Sequence, residues 1–573
     1  MNRLLRLASA GLVLLALPRT PVLAQDTSDP MGGMSMAGMM MDHRPGTAPS
    51  AMMIIPMMKN PMLPGMAGMR PKTTPWLPGV GVDVSKLPEA TPRELKALTS
   101  GDTLDLKAMM VRRTIKEKPI VMYGFNGQYP GPLLKVKQDA TIYVRFTNGI
   151  DLPTTVHWHG VRLENKYDGV PHATQEEIPP GGTFLYKVHF PDAGIYWYHP
   201  HVREDIQQDM GLYGNMMVES PDSTYYSPVN SEEVLMLDDL LMDGDSVVPF
   251  GKEGANFAPM GRFGTVLLVN GETHYHKLAK AGEVIRFFLT NVANTRTFNL
   301  NFGAPVKLVA GDASRYEKEQ MVDNVIIAPA QRYVVEVRYP KAGDYYITNS
   351  VVALDHMMGE FFTATDTVGM VMAAAGPASP DYVTQYQTLR ENAAVKADVD
   401  KYRSAFDRPP DKELITAVEM KDLPIIMLLF ISIDTIYRAP VEFTDAMADM
   451  NWIGTSREVR WILRDKATGK ENMDIDWHVQ QGTVTKIRLI NDIKAFHPMN
   501  HPMHLHGQRF LVVARDGHPV ENQVWSDTAL LPVGQTLDIL VDNANPGKWM
   551  LHCHIAEHLE AGMMANYTVD PPQ

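Results

Sequence analysis

The chain has 573 residues, of which 45% are hydrophobic and 21% charged, and its formal net charge is −13. This length exceeds that of a usual single domain and predicts three to four domains. The negative charge argues against nucleic acid as a partner, and no basic patch points to an anionic membrane. With 42 glycines, 42 prolines and few long helical patterns, the composition favours β-structure.

Residues 1–24 have the features of a secretory signal peptide. Arg3 and Arg6 provide the positive start, a short apolar run follows, and the segment ends in the small-residue pattern VLA at Ala24. The apolar run is too short to span a bilayer, which disfavours a membrane anchor. We therefore expect an exported protein, periplasmic or extracellular, although the export route is open.

Residues 25–75 are rich in methionine, with thirteen between Met31 and Met69. Glycine and proline interrupt every potential helix, so we expect this segment to be disordered. Thioethers are soft ligands that suit Cu(I), which would make the segment a copper-collecting tail. A flexible leader of biased composition is the alternative.

From about residue 85 the sequence consists of short alternating apolar runs separated by Gly, Pro, Asn and Asp, as in ATIYVRFTNG at 140–149. The runs form three blocks that share a loose pattern, which predicts an all-β chain with one β-sandwich module used three times. The predicted domains are 85–228, 232–385 and 416–573. A charged, helical pattern at 386–415 predicts a linker before the third domain.

Four clusters carry ten of the nineteen histidines. In a strand, the two imidazoles of a His-x-His pair lie on the same face. Eight of these imidazoles are enough to hold three copper ions and leave positions open for oxygen species. The clusters are His157-Trp158-His159, His199-Pro200-His201, His501 with His504 and His506, and His552-Cys553-His554 with His558.

Cys553 is the only cysteine, so it cannot form an internal disulfide. If its segment is a strand, the Cys553 side chain points away from those of His552 and His554. A thiolate, imidazoles and a distant thioether are the ligands of a blue-copper site. The candidate ligands of that site are His501, Cys553, His558 and Met563, and very few covalent bonds would join it to the histidine cluster.

The remaining histidines are given no metal. His274-Tyr275-His276 has the His-x-His spacing but no partner cluster in its block, so the spacing alone is weak. We also assign no catalytic role to Glu560, near the C-terminal cluster. The histidines treated as ordinary residues are His43, His172, His189, His356, His478, His497 and His518.

These clusters resemble those of the multicopper oxidases, the family of laccases, bacterial cuprous oxidases and bilirubin oxidase. The resemblance covers roughly residues 85–570, and further matches are the segments at 126–132 (NGQYPGP) and 269–271 (VNG). It implies three cupredoxin-like Greek-key β-sandwich domains, with a trinuclear copper cluster between the first and the third. No ligand position of the family is missing.

The resemblance also implies four copper ions and a role for each ligand. One type 1 copper would be held by His501, Cys553 and His558, with Met563 axial. One type 2 copper would be held by His157 and His504. Two type 3 coppers would be held by His159, His199 and His554, and by His201, His506 and His552. Asp168 matches an acidic residue of the family that could pass protons to bound oxygen species, with a plain turn residue before Gly169 as the alternative.

The expected activity is that of a copper-dependent oxidoreductase with O2 as acceptor. Electrons would enter at the type 1 copper and pass through Cys553 to His552 and His554. The favoured donors are phenols and aromatic amines, as for a laccase. A cuprous oxidase acting in copper tolerance is the first alternative, supported by the Met-rich segment. Met357, Met358, Met447 and Met450 would add to that support, although core packing is the favoured interpretation of these four. A copper-binding tolerance protein with incidental oxidase activity is the second, and we expect a monomer in each case.

Overall fold

The computed structural model describes residues 69–355, 360–431 and 451–572. The predicted signal peptide and most of the Met-rich segment lie outside this range, as do six residues considered above: His43, His356, Met357, Met358, Met447 and Met450. The end of the segment predicted to be disordered is ordered, because Thr73 is buried and its hydroxyl donates to the Glu253 carboxylate at 3.0 Å.

The first domain packs a four-stranded sheet on a five-stranded one. Alternation dictates the packing: in TIYVRFTNG the side chains of Ile142, Val144 and Phe146 face the core, and the residues between them face outward. The sheet orders are β4-β3-β6-β8 and β2-β5-β10-β9-β7. The strands are β1 Pro75–Trp76, β2 Leu95–Ala97, β3 Thr103–Ile115, β4 Lys118–Phe125, β5 Leu133–Lys137, β6 Thr141–Gly149, β7 His157–His159, β8 Thr183–His189, β9 Gly194–His199 and β10 Gly214–Glu219.

The second domain packs a six-stranded sheet on a five-stranded one, in the orders β15-β11-β17-β22-β19-β20 and β16-β24-β23-β18-β21. Its strands are β11 Ser231–Leu240, β12 Met242–Asp243, β13 Ser246–Val247, β14 Phe250–Gly251, β15 Val266–Val269, β16 Tyr275–Lys280, β17 Val284–Asn291, β18 Phe298–Asn301, β19 Val306–Ala310, β20 Arg315–Val322, β21 Val325–Ile327, β22 Arg332–Arg338, β23 Gly343–Asp355 and β24 Glu360–Ala374. Strand β14 pairs with β1, which ties the start of the described chain to this domain.

The third domain repeats the plan. A seven-stranded sheet has the order β26-β25-β28-β34-β30-β31, with β32 also on β30, and it packs on a five-stranded sheet β27-β36-β35-β29-β33. The strands are β25 Lys412–Met420, β26 Val459–Asp465, β27 Asp476–Gln480, β28 Val484–Asn491, β29 His501–Leu505, β30 Arg509–Arg515, β31 His518–Pro519, β32 Trp525–Ser526, β33 Thr528–Leu531, β34 Thr536–Asp542, β35 Gly547–Cys553 and β36 Met564–Asp570.

Helices are short and lie between strands. They are α1 Glu204–Gln207, α2 Val383–Gln387, α3 Ala393–Asp400, α4 Ile425–Ile431 and α5 Ala556–Glu560, with 3-10 turns at Val84–Lys86, Asn165–Tyr167, Arg403–Ala405 and Asn472–Asp474. Helix α3 and the last two residues of α2 lie in the predicted linker, residues 386–415. In the part of the chain that the structure describes, no helix has the length and apolarity to cross a membrane. The predicted all-β class with three cupredoxin-like domains is confirmed.

Candidate metal centre

In the first domain, the two strands that carry His-x-His pairs lie side by side. Antiparallel pairing of β7 with β9 sets His157 opposite His199 and His159 opposite Trp197. The chain leaves β9 at Pro200, which brings His201 to the same end of the sheet. All four imidazoles are buried, because the sheet edge that carries them faces another domain.

In the third domain, β29 and β35 are also antiparallel neighbours. Their register sets His504 opposite His552 and Met503 opposite Cys553. Rings from the two domains then pack together: the centroids of His159 and His504 are 3.8 Å apart, and those of His157 and His506 are 4.1 Å apart. The eight-histidine cluster that results contains His157, His159, His199, His201, His504, His506, His552 and His554.

In three of these imidazoles, the Nε2 atoms face one another. The Nε2 atom of His506 lies 3.3 Å from Nε2 of His201 and 2.9 Å from Nε2 of His552. Each Nδ1 atom faces an acceptor: Asp168 Oδ2 at 2.8 Å from His506, the Cys553 carbonyl at 2.9 Å from His552, and Glu204 Oε1 at 3.1 Å from His201. The Nδ1 atoms therefore carry the protons, and three Nε2 lone pairs face one another.

Facing lone pairs repel unless a cation lies between them. A proton could bridge only if one ring were an imidazolium, but burial, with the neighbouring imidazoles adding to it, holds the pKa of all three rings well below 6.5. Neutral imidazoles are the form that binds copper. The donor set therefore fits a metal ion.

The other five imidazoles of the cluster also present free donor atoms to its interior. His157 Nδ1 donates to the Asp168 carbonyl and His504 Nδ1 to the Asp527 carbonyl, each at 2.8 Å. The buried ring nitrogens left without a protein partner are Nε2 of His157, His199 and His504, Nδ1 of His159, and both ring nitrogens of His554.

The distances between the metal-binding nitrogen atoms are compatible with more than one grouping of these imidazoles. Sets with all donor atoms within 4.8 Å include His157 with His504 and His506, and His157 with His159 and His199. The set of His201, His506 and His552 agrees with one predicted type 3 site. The split of the other five imidazoles between a type 2 and a second type 3 site stays a prediction.

A second site, the cysteine site, lies on the opposite face of β35. Cys553 Sγ lies 3.6 Å from His501 Nδ1 and 3.7 Å from His558 Nδ1, and all three residues are buried. The Met563 amide donates to the His558 carbonyl at 3.0 Å, and its carbonyl accepts from the Cys553 amide at 3.1 Å. The structure thus places all four predicted residues together, and burial lowers the pKa of His501 to about 3.

Cys553 joins the two sites. Its side chain faces His501 and His558, whereas the flanking rings of His552 and His554, 5.4 Å apart, lie in the eight-histidine cluster. The alternation of side chains along a strand produces this arrangement without any special backbone geometry.

Asp168 contacts ligands of the cluster with both its backbone and its side chain. Besides the bond to His506, Oδ1 lies 3.3 Å from His157 Nδ1, and the residue is buried. It follows the 3-10 turn at Asn165–Tyr167 and precedes Gly169, whose φ is +83°. The predicted acidic residue is therefore at the cluster, where it orients two imidazoles, and it is also a turn residue.

Several residues at these sites were missed by sequence reasoning. Asp527 Oδ1 lies 3.2 Å from His159 Nε2, and Glu204 contacts His201. The Trp461 ring stacks on His558 with centroids 4.1 Å apart. Asp527 and Trp461 belong to no spacing motif, whereas Glu204 lies only three residues after His201, a local spacing that the sequence analysis did not use.

The described histidines without an assigned metal lie outside both sets of candidate ligands. His274 and His276 are exposed on the second domain, and His478 pairs with Asp570 at the surface. His497 is buried, and its Nε2 lies 3.0 Å from the Pro259 carbonyl. Glu560 contacts Arg203 at 3.9 Å, at the end of α5.

Comparisons with known proteins agree with this geometry. Three multicopper oxidase family models match residues 108–223, 232–371 and 444–573. The multicopper oxidase MmcO of Mycobacterium tuberculosis is 26% identical over 77% of this chain and 81% of its own length. A laccase of Botryotinia fuckeliana is 27% identical over 77% of each chain.

Among solved structures, a multicopper oxidase from Campylobacter jejuni, described as a metallo-oxidase, superposes with a TM-score of 0.64 at 24% identity. The match covers 88% of this chain and 99% of that one. At this identity the likeness shows the fold alone. Because the family models cover most of the chain in order, and the histidine and cysteine clusters converge in the fold, the protein belongs to the multicopper oxidase family.

Proposed function

We propose that the protein couples one-electron oxidation of phenolic or aromatic substrates to the four-electron reduction of O2 to water, as a laccase does. The observation that carries the proposal is the position of Cys553. Its thiolate belongs to one donor set and its two neighbours to another, so an electron accepted at the cysteine site has a short covalent path to the cluster.

The assignment of the donor atoms follows from their hydrogen bonds. We assign His501, Cys553, His558 and Met563 as the residues that would hold a type 1 copper, and the eight imidazoles as those that would hold a trinuclear set. Copper bound there would supply the redox chemistry, accepting single electrons from the donor and passing four to O2. The side chains hold these ions at set separations and exclude water, because both sites are buried.

Asp168 is the candidate for moving protons. Its carboxylate accepts a hydrogen bond from Nδ1 of His506 and lies next to His157, at the border of the cluster. A carboxylate within one water of bound oxygen can deliver protons to it. Glu204 is a second acidic group at the cluster: its Oε1 lies 3.1 Å from His201 Nδ1, and within the described residues neither carboxylate oxygen has a hydrogen-bond partner.

Cu(I) is the alternative donor, and the Met-rich sequence between Met31 and Met69 favours it. The test is oxygen uptake by the copper-loaded mature protein with Cu(I) or a methoxyphenol at matched concentrations. Faster uptake with the phenol supports the laccase proposal, and much faster uptake with Cu(I) supports a cuprous oxidase. No uptake with either donor, in protein with full copper, would leave a copper-binding protein and contradict both.

The signal-like residues 1–24 support the proposal that the protein is exported to the periplasm or the cell exterior. Mass spectrometry of the mature N-terminus after expression with residues 1–24 intact tests this. Cleavage after Ala24 is expected, and an intact N-terminus on cytoplasmic protein would contradict it. We also propose a monomer, because the first and third domains of one chain complete the cluster.

A further inference from the structure

A guanidinium group from the second domain lies at the junction of all three domains. Arg332, the first residue of β22, is fully buried. Its Nη1 and Nη2 atoms donate to the two carboxylate oxygens of Asp527 in the third domain, at 2.7 and 2.5 Å. Its Nε donates to the carbonyl of Ile195 in the first domain, at 3.2 Å.

Asp527 contacts two ligands of the cluster. Its Oδ1 lies 3.2 Å from Nε2 of His159, and its carbonyl accepts from Nδ1 of His504 at 2.8 Å. The Thr528 hydroxyl lies 3.2 Å from the same two ring nitrogens. The proton of His159 is therefore held at Nε2 and that of His504 at Nδ1, so the opposite nitrogen of each ring is free for a metal.

The orientation of Asp527 depends on Arg332. A carboxylate bound by both ends of a guanidinium fork has one preferred plane. Asp312 of the second domain fixes the fork in turn, because its carboxylate accepts from the Arg332 amide at 2.7 Å and its carbonyl accepts from Nη2 at 3.2 Å.

The backbone next to His159 leaves room for the Arg332 guanidinium and the Asp527 carboxylate. Gly160 has a φ of +81°, and a Cβ atom placed there would lie 2.5 Å from Asp527 Oδ2 and 2.6 Å from Arg332 Nη2. The turn after the His157–His159 strand therefore touches the fork directly. The strand that carries His199 is held through Ile195.

We propose that Arg332 is a positioning residue of the trinuclear site, through which the second domain, which supplies none of its ligands, sets the copper affinity of His159 and His504. The inference rests on the proposed copper assignment. It predicts that the cysteine site, which Arg332 does not contact, binds copper independently of this residue.

Arg332→Lys keeps the positive charge and removes the fork. We expect the copper affinity of the eight-histidine cluster to fall about 10- to 100-fold, with an altered type 2 copper signal in electron paramagnetic resonance, while the blue absorption of the cysteine site is retained. The measurement is bound copper per chain at buffered free copper. Arg286→Lys is the matched control, because Arg286 is buried in the same domain and paired with Glu336 but touches no ligand. It should bind copper as wild type does.

Loss of the blue band and of the far-ultraviolet circular dichroism would show that Arg332→Lys fails to fold. In that case the inference is tested with the double variant Arg332→Met and Asp527→Asn, in which both charges are removed together. Wild-type affinity and an unchanged type 2 signal in Arg332→Lys, or in this pair, would overturn the inference. A wild-type protein that binds no copper at the cluster would instead overturn the proposed function.

Discussion

The cysteine site and the eight-histidine cluster are built in different ways. The cysteine site lies wholly in the third domain, with three of its four candidate ligands within eleven residues of chain, Cys553 to Met563. The cluster takes its imidazoles from the first and third domains, and Arg332 of the second domain binds the carboxylate of Asp527 beside them. The first site depends on one domain fold, and the second depends on how three domains dock.

The largest effect is expected from removing the group that the two sites share. Cys553→Ser replaces the thiolate, so the blue absorption near 600 nm of a Cu(II)–thiolate bond should disappear and oxygen uptake should fall to the level of copper-free protein. Absorption spectra and oxygen-electrode assays check this. Survival of the blue band would show that the type 1 assignment is wrong.

Gly160→Ala should affect the eight-histidine cluster and leave the cysteine site intact, because it disturbs only the junction between the domains. The left-handed backbone costs an alanine roughly 1–2 kcal/mol, and the contact with Asp527 and Arg332 adds to that. We expect loss of cluster copper with the blue band retained, measured as copper per chain and by thermal unfolding.

Gly517→Ala is the matched control for that change, because Gly517 has a φ of +76° but no atom within 4 Å of the position that a Cβ would occupy. It should lose stability by the backbone cost only, roughly 1–2 kcal/mol. Equal copper loss in both variants would mean that the junction does not matter.

Asp168→Asn should impair the cluster and leave the cysteine site intact. The amide still offers an oxygen to His506 but carries no charge, so oxygen reduction is expected to fall about 10- to 100-fold. Anaerobic bleaching of the blue band by the donor should keep its wild-type rate. A parallel loss in both rates would argue against a role confined to the cluster.

The smallest effect is expected on the surface of the third domain, away from both sites. The hydrogen bond with Asp570, followed by the charge of that group, raises the pKa of His478 above 6.5, and the side chain is 53% exposed. A raised pKa stabilises the fold below pH 6.5, and the contribution disappears as pH rises through the folded value.

His478→Gln should therefore lower the free energy of unfolding by at most about 0.5 kcal/mol at pH 5.5, after allowance for screening, and by nothing measurable at pH 9. Denaturant titrations at the two pH values test the sign. A larger loss at pH 9 would contradict it, and copper content should be unchanged at both.

The ligands of both sites could be predicted from local spacing. His-x-His and the alternation around Cys553 need only the period of two in β-structure: β7 contains a whole pair, and the other pairs lie at strand ends. The split of the imidazoles between individual ions could not be predicted in the same way, because it depends on distances between domains.

Among the residues that orient the candidate ligands, some could likewise be predicted from the sequence and others could not. Asp168 was identified nine residues after His159 through the family pattern, whereas Asp527 and Arg332 lie in no motif. Arg332 is 173 residues from His159 in the chain, and only the docking of the second domain brings it to the junction. Long-range contacts of this kind have no signature in local composition.

By itself, the sequence determined the all-β class, the repeated module and the residue types of the copper ligands, because periodicity and ligand chemistry are local properties. The tertiary structure decided which imidazole nitrogen is left free to bind a metal ion. That choice is made by the acceptor on the other side of the ring, and at His159, His201 and His506 this acceptor comes from a distant segment or a neighbouring turn.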